Sequence, residues 1–596
     1  MDGRLRTGHL LIFLLVTHTP LTLLWGAVPE TYRVGQVEST PLVFALAGIV
    51  LLGFVFGYSG MARRLRHPGG VYVQVAHGLG RPAGIAAAAV ILVAYLGLVA
   101  GLYSFFAGVL DALAQSLFGV HVPLPVGIVI CVAGGALLSR FRARQVLPVF
   151  AVILAIQLIT LVVTLVAAFS SPAGGVMSYQ SLEPGGLLTG SFGVTLVFAL
   201  MASSGTETAA NYTAELADPA RSLPRATYVS YTVTTCVTVA GALAVSALAG
   251  TANAPLIAQQ TGPALFPALV AQVVGPAHAA LVTNALMAVL LTGIFGATAA
   301  LQGALVRQLA GLARDGVLPP ALIRPDARGK RPFLLHVIHP TIGGLVALVA
   351  SNESGALKPW VLIGCTLGLF AMLTLASLSA AAWFLRGEAD EAGFFGWEGQ
   401  VVAAGFSALT LFLIVAYGLT HVPELDTEHT RGSTALVLAL IGIPFAAGLF
   451  WALFLREVRP EVYAKIGRSG PSPLDVPAAP EARRTPADAP TPAPGAASTY
   501  APGPAPATAP LHPAAPVPHA GPPQPYPAQP YARARPHPDP PAPRPDAPRP
   551  DAPRPDAPRP PVAQRWEAPR PRSPLDDFRR DTPVAAPEDW WERPPE

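Results

Sequence analysis

Charge is scarce in this chain: only 12% of its 596 residues are Asp, Glu, Lys or Arg, and cysteine occurs three times. So little charge does not suit a water-soluble surface. Cys131, Cys236 and Cys365 all fall inside apolar stretches, which argues against a disulfide framework and makes a metal site improbable. A convincing nucleophile, a metal-ligand set and a phosphate loop are also missing, so the sequence does not read as an enzyme. No cofactor, metal or nucleic-acid partner is expected. The first apolar stretch lacks a small-residue cleavage site and carries a Thr-His-Thr-Pro interruption, unlike an export signal.

What the chain does have is hydrophobic length. Hydrophobic residues make up 52% and the mean hydropathy is +0.47. With roughly 20 apolar residues needed per crossing, the pattern predicts an all-α membrane protein of twelve spans. They fall at 9–28, 41–61, 83–112, 122–139, 145–169, 188–213, 227–250, 278–312, 333–351, 357–385, 399–421 and 433–455. Connecting segments give an independent check, because short cytoplasmic loops collect Lys and Arg. One side of the alternation holds 22 such residues and the other only Arg33, Lys358 and Arg431. The expected setting is therefore the cell membrane, in contact with the lipid bilayer and with both termini cytoplasmic.

Beyond about Gly470 the composition changes. About 40 of the 65 prolines lie there, with 14 arginines balanced by 15 acids, and Arg544 to Ala557 nearly repeats Arg-Pro-Asp-Ala-Pro three times. Too few apolar residues remain to offset the entropy of ordering such a segment. The division expected is a membrane domain over 1–460 and a disordered, proline-rich cytoplasmic tail over 461–596. A proline-recognising protein is a possible partner for the tail, which otherwise reads as a linker.

Two spans are interrupted by polar residues. In the first, Thr17-His18-Thr19-Pro20 divides the apolar run, and proline is well tolerated only where a new helix opens. Two half-helices follow, with Thr19 near the second one's N-cap and exposed amides that suit a carboxylate. In the sixth, Ser203-Ser204-Gly205-Thr206 should loosen the helix and leave carbonyls free for an ammonium, with Thr206 capping the second half. Two such breaks facing one another would form a polar pocket, for which a free amino acid is the natural guest. Small residues that merely let helices pack closely are the alternative.

Ionisable groups inside a membrane are functional candidates. His18 is expected to contact solute, to carry a proton, or simply to bond a freed carbonyl. Glu207 is expected to stabilise a gate or cap a helix, with proton coupling a lesser option. Tyr95 would close over the pocket or pack, while Gln157 and Thr298 are candidates to help bind a coupling ion, H+ or Na+.

Three motifs in order carry a resemblance. His67-Pro-Gly-Gly70-Val-Tyr72 precedes Gly78-Leu-Gly80-Arg81-Pro-Ala-Gly84; Gly205-Thr-Glu207-Thr is followed by Glu215, Asp218-Pro219, Arg221 and Pro224-Arg225; Arg307 precedes Leu312-Ala-Arg314-Asp315-Gly316-Val-Leu-Pro319. Over residues 1 to 460 the chain resembles the amino acid-polyamine-organocation permeases. The resemblance implies two inverted five-helix repeats plus two helices, the LeuT-like fold with helices 1 and 6 broken. It also implies a substrate among helices 1, 3, 6 and 8 that is an amino acid, a polyamine or a related amine. The chain departs from that pattern at His18-Thr19-Pro20, at Thr206 where an aromatic is frequent, and in having no lysine in the fifth span. Asp218-Pro219 is expected to end the sixth helix.

Alternating-access transport is the function expected, and a solute sensor signalling through the tail is the alternative. Deletion of everything after Gly470 separates them: a permease keeps its uptake in vesicles, whereas a sensor loses its output.

Overall fold

The computed structural model describes residues 4–65, 67, 69–324, 333–351, 357–388 and 396–468. The tail lies outside the described residues, apart from 461–468.

Among the described residues the chain is helical, without strands. The first span is divided into α1 (Thr7–His18), α2 (Pro20–Thr22), a π-turn over Leu23–Ala27, and α3 (Val28–Gly35). There follow α4 (Thr40–Arg64), α5 (Val71–Gly78), α6 (Arg81–Phe118), α7 (Leu124–Ser139), α8 (Ala143–Ser170) and α9 (Phe192–Ser203). A 3-10 segment, Thr206–Glu215, leads to α10 (Pro219–Ala249), α11 (Ala254–Thr261), α12 (Leu265–Val274) and α13 (Pro276–Arg314). The rest comprises α14 (Phe333–Ala350), α15 (Pro359–Trp383), α16 (Gly396–Thr420), α17 (Val422–Leu425), α18 (Ser433–Val458) and α19 (Pro460–Lys465).

Nine stretches among the described residues are long and apolar enough to cross a membrane, so the chain is a multi-pass membrane protein. The fourth, sixth and ninth expected spans fall on the shorter α7, α9 and α14. For the sixth the cause is plain: α9 stops at Ser203, and Gly205 takes a φ of 128° that begins a different backbone path. Exposed Ile159, Val163, Val402 and Phe412 line the outer faces of long helices. These are surfaces that water would not tolerate and hydrocarbon does.

Proline and glycine set the ends of the elements. Pro20, Pro82, Pro219, Pro276 and Pro359 sit in the first helical turn, where the missing amide costs nothing. Asp218 departs from expectation: its side chain accepts from the Arg221 amide at 3.3 Å, so it caps the start of α10 instead of ending a sixth helix. Gly70 (φ 68°) lies so close to Asn211 that a Cβ would come within 2.3 Å of its Oδ1, which accounts for the second glycine of the first motif.

The first and third motifs meet at one buried carboxylate. Asp315, just beyond α13, accepts from the Tyr72 hydroxyl, from His67 Nε2 at 3.1 Å and from the Gly467 amide at 2.9 Å. Burial, with the Asp315 carboxylate beside it, pushes the Tyr72 phenol well above its ordinary range, so it remains an O–H donor. Around this point Tyr72, Ile85, Leu312, Val317, Leu455 and Ile466 form an apolar cluster. Residues 461–468 therefore belong to the folded domain, although the sequence assigned them to the tail. Ile466 is buried, and the Arg81 guanidinium lies 5.2 Å from the Tyr463 ring centroid, contacts that a composition argument does not register.

Asp315→Ala leaves the buried Tyr72 hydroxyl and Gly467 amide without their acceptor, each a loss of about 1–3 kcal/mol. The expected outcome is a clearly lowered melting temperature of the purified protein, read by thermal unfolding in detergent.

Candidate functional site

Thr19 divides the first span with φ 37° and ψ 91°, and the glycine-dependent turn at Gly205 divides the sixth. The two breaks touch. A Cβ on Gly205 would stand 3.2 Å from Thr17 Cγ2 and 3.7 Å from the His18 ring.

His18 joins the breaks. Its Nδ1 lies 2.8 Å from Leu14 O in its own helix, and its Nε2 lies 3.3 Å from Ser203 O and 3.4 Å from Thr206 Oγ1. A neutral imidazole donates from one nitrogen only, so it satisfies one of those two carbonyls; an imidazolium satisfies both. Thr206 also meets Ser230 of α10 at 3.2 Å, and it is not the cap expected, because it is the first residue of a 3-10 segment whose cap position is Gly205.

Glu207 is buried beside this contact. Its carboxylate accepts from the Gly205 amide at 2.8 Å, from the Tyr231 hydroxyl at 3.3 Å and from the Tyr95 hydroxyl. Tyr58 of α4 donates to the Glu207 carbonyl at 3.0 Å and accepts from the Ala210 amide at 2.8 Å. Tyr95 thus contacts the sixth-span break through a hydrogen bond. Tyr58 and Tyr231 were not picked out from the sequence. Their signal was a phenol in the middle of an apolar run, where a polar tip needs a buried partner.

Three hydroxyls at the breaks bond back to their own helices. Thr17 donates to Phe13 O at 2.9 Å, Ser203 to Ala199 O at 3.2 Å and Ser204 to Leu200 O at 2.9 Å. Two differ: among the described residues, Thr19 Oγ1 and Thr22 Oγ1 are buried with no hydrogen-bond partner. Thr19 occupies the cap position but makes no capping bond. The exposed amides expected after Pro20 are engaged as well, with Leu21 N donating to Gln157 Oε1 at 3.3 Å and Thr22 N to Thr19 O at 2.8 Å.

Gln157 and Thr298 are not brought together. The Gln157 amide ties Leu21 N to Val289 O, to which it donates at 2.7 Å, and so links the second half of the first span to α13. Thr298 donates to Ile294 O at 2.7 Å within α13 and lies beside Cys131. Among the described residues no group of three His, Cys, Asp or Glu side chains is placed to hold a metal.

The chain near the N-terminus and α13 both contact the end of the sixth-span segment. Leu5 pairs with the chain after the 3-10 segment, its amide donating to Glu215 O at 2.8 Å and its carbonyl accepting from Ala217 N at 2.9 Å. Arg307 of α13 donates to Glu215 Oε1 at 2.6 Å and lies 4.4 Å from the Tyr212 ring centroid.

Helices of membrane length, two adjoining breaks and buried polar groups at their contact define a helical membrane protein built around a polar centre, the class to which solute carriers belong. The amino acid permease family model matches residues 13–444, and the chain belongs to that family. The resemblance read from the three motifs is borne out. The family consists of transporters rather than enzymes, with a small-molecule substrate and a membrane setting. No curated protein matches the chain.

At Gly205 a side chain is strained whatever the space around it, at about 1–3 kcal/mol. Gly205→Ala is expected to lower thermal stability by that order and to reduce uptake in proteoliposomes. Wild-type values for both would remove the significance given to this turn.

Proposed function

We propose that the protein is a secondary active transporter of amino acids or related amines, with its substrate held at the contact of the two breaks. The observation that carries this reading is the pair of buried, unpartnered hydroxyls of Thr19 and Thr22 next to the bridge between His18 and the Ser203–Glu207 turn. A buried hydroxyl without a partner is costly in hydrocarbon, and a polar solute that bonds to it removes that cost. Ser203, Ser204, Gly205 and Thr206 supply the backbone on the other wall, and Thr17, His18 and Pro20 complete the first. Membership of the amino acid permease family gives the substrate class its support.

On this reading the chain has twelve spans in two inverted five-helix repeats plus two helices and lies in the cell membrane with both termini cytoplasmic. The tail follows residue 460 apart from the docked 461–468. The Leu5, Glu215 and Arg307 contacts then close the cytoplasmic exit, and alternating access requires them to part. Coupling is assigned to H+ rather than Na+. His18 faces two carbonyls that only its charged form satisfies together, whereas Gln157 spends both ends of its amide on backbone.

The test is uptake into proteoliposomes of a panel of radiolabelled amino acids and amines, with and without an inward pH gradient or sodium. Uptake that rises with the pH gradient, ignores sodium and loses its pH dependence in His18→Gln is the expected result. Neither uptake nor exchange for any member of the panel would sink the transport reading; sodium dependence would sink only the coupling.

A further inference from the structure

A cavity of about 390 Å³ lies away from the two breaks, enclosed by α8, α10, α12 and α13 and floored by Leu24. That volume is in the range of small-molecule sites, roughly 300–1,000 Å³. Its walls are almost wholly apolar: Ala244, Leu248, Phe266, Leu269 and Leu286 are all buried and line it. Of the two wall threonines on α8, Thr164 spends its hydroxyl proton on Thr160 O at 2.8 Å. Such walls give a zwitterion or a lipid headgroup nothing to hold, so they do not serve the proposed substrate.

The position of the mouth identifies the occupant. Ile159 and Val163 line the cavity and are 65% and 62% exposed on α8, a helix of membrane length and composition. The opening thus faces hydrocarbon sideways, and what reaches it comes from the bilayer. We propose that an acyl chain of a membrane phospholipid inserts here while its headgroup stays outside.

The inserted chain also bears on the first break. Leu24 belongs to the π-turn that follows Pro20, a kind of distortion common at functional sites. The next residue, Trp25, packs on Phe266 at 4.7 Å between centroids, and Phe266 lines the cavity. Leu24 also fills the space beside Gly241, where a Cβ would come within 2.9 Å of its Cδ1. A chain in the cavity therefore lies against the turn that follows the first break.

The full chain, reconstituted in nanodiscs of phosphatidylcholine with a photoreactive diazirine in mid-acyl chain, tests this directly. After irradiation, peptide mass spectrometry is expected to find adducts on buried Leu248 or Leu269 as well as on exposed Ile159 and Val163. In Ala244→Phe, which fills the cavity, the buried adducts fall to background while the rim adducts persist. Ala168→Leu serves the same purpose should the larger ring impair folding. Wild-type adducts confined to the exposed rim overturn the proposal, as do buried adducts that persist unchanged in the filled variant.

Discussion

Hydrocarbon offers no hydrogen bonds, so a chain that interrupts a membrane helix must find partners inside the protein for the groups it frees. Here that requirement falls mainly on one carboxylate and one imidazole. Glu207 takes up the freed Gly205 amide and holds two phenols against it, while His18 sits against the carbonyl of Ser203 across the same contact. Without the carboxylate, the turn at Gly205 would expose an amide in a medium where each unsatisfied group costs several kcal/mol. Tyr95 from α6, Tyr58 from α4 and Tyr231 from α10 then follow as consequences. Three helices converge on the break because it is polar and they carry polar tips there.

The same economy explains which residues stand apart. Ser203, Ser204 and Thr17 can return their hydroxyls to carbonyls one turn back, so their small polar side chains are quiet inside a helix. Thr19, whose backbone has left the helical region, does not, and among the described residues helical Thr22 likewise leaves its hydroxyl without a partner.

The breaks were legible because proline and glycine act locally. Pro20 removes a donor wherever it stands, and Gly205 permits a φ of 128° without help from a neighbour. The family was legible for a related reason: its motifs place Gly70, Gly205 and Asp315 where backbone approach or a buried carboxylate demands those residue types. What remained hidden depends on contacts far along the chain. Nothing local to Gln157 indicates that its amide bridges Leu21 and Val289, across 136 and 132 residues, and nothing local to Ile466 indicates that it docks under Tyr72. The last apolar span and the resemblance ended the membrane domain at 460, whereas packing ties residues 461–468 to it.

The end of α13 is where these arrangements meet. Arg307 grips Glu215 at the end of the sixth-span segment, and two turns later Asp315 binds the 67–72 loop and the chain after α19. The two contacts differ in kind. The Arg307–Glu215 pair retains side-chain exposures of 15% and 22%, so water still reaches both partners. Asp315 has a fully buried side chain with three donors from two segments, and removing any of them leaves a charge or a donor without compensation. The end of α13 is thus tied to the 67–72 loop and residues 461–468 through a fully buried carboxylate, and to the sixth-span segment through a pair that water still reaches.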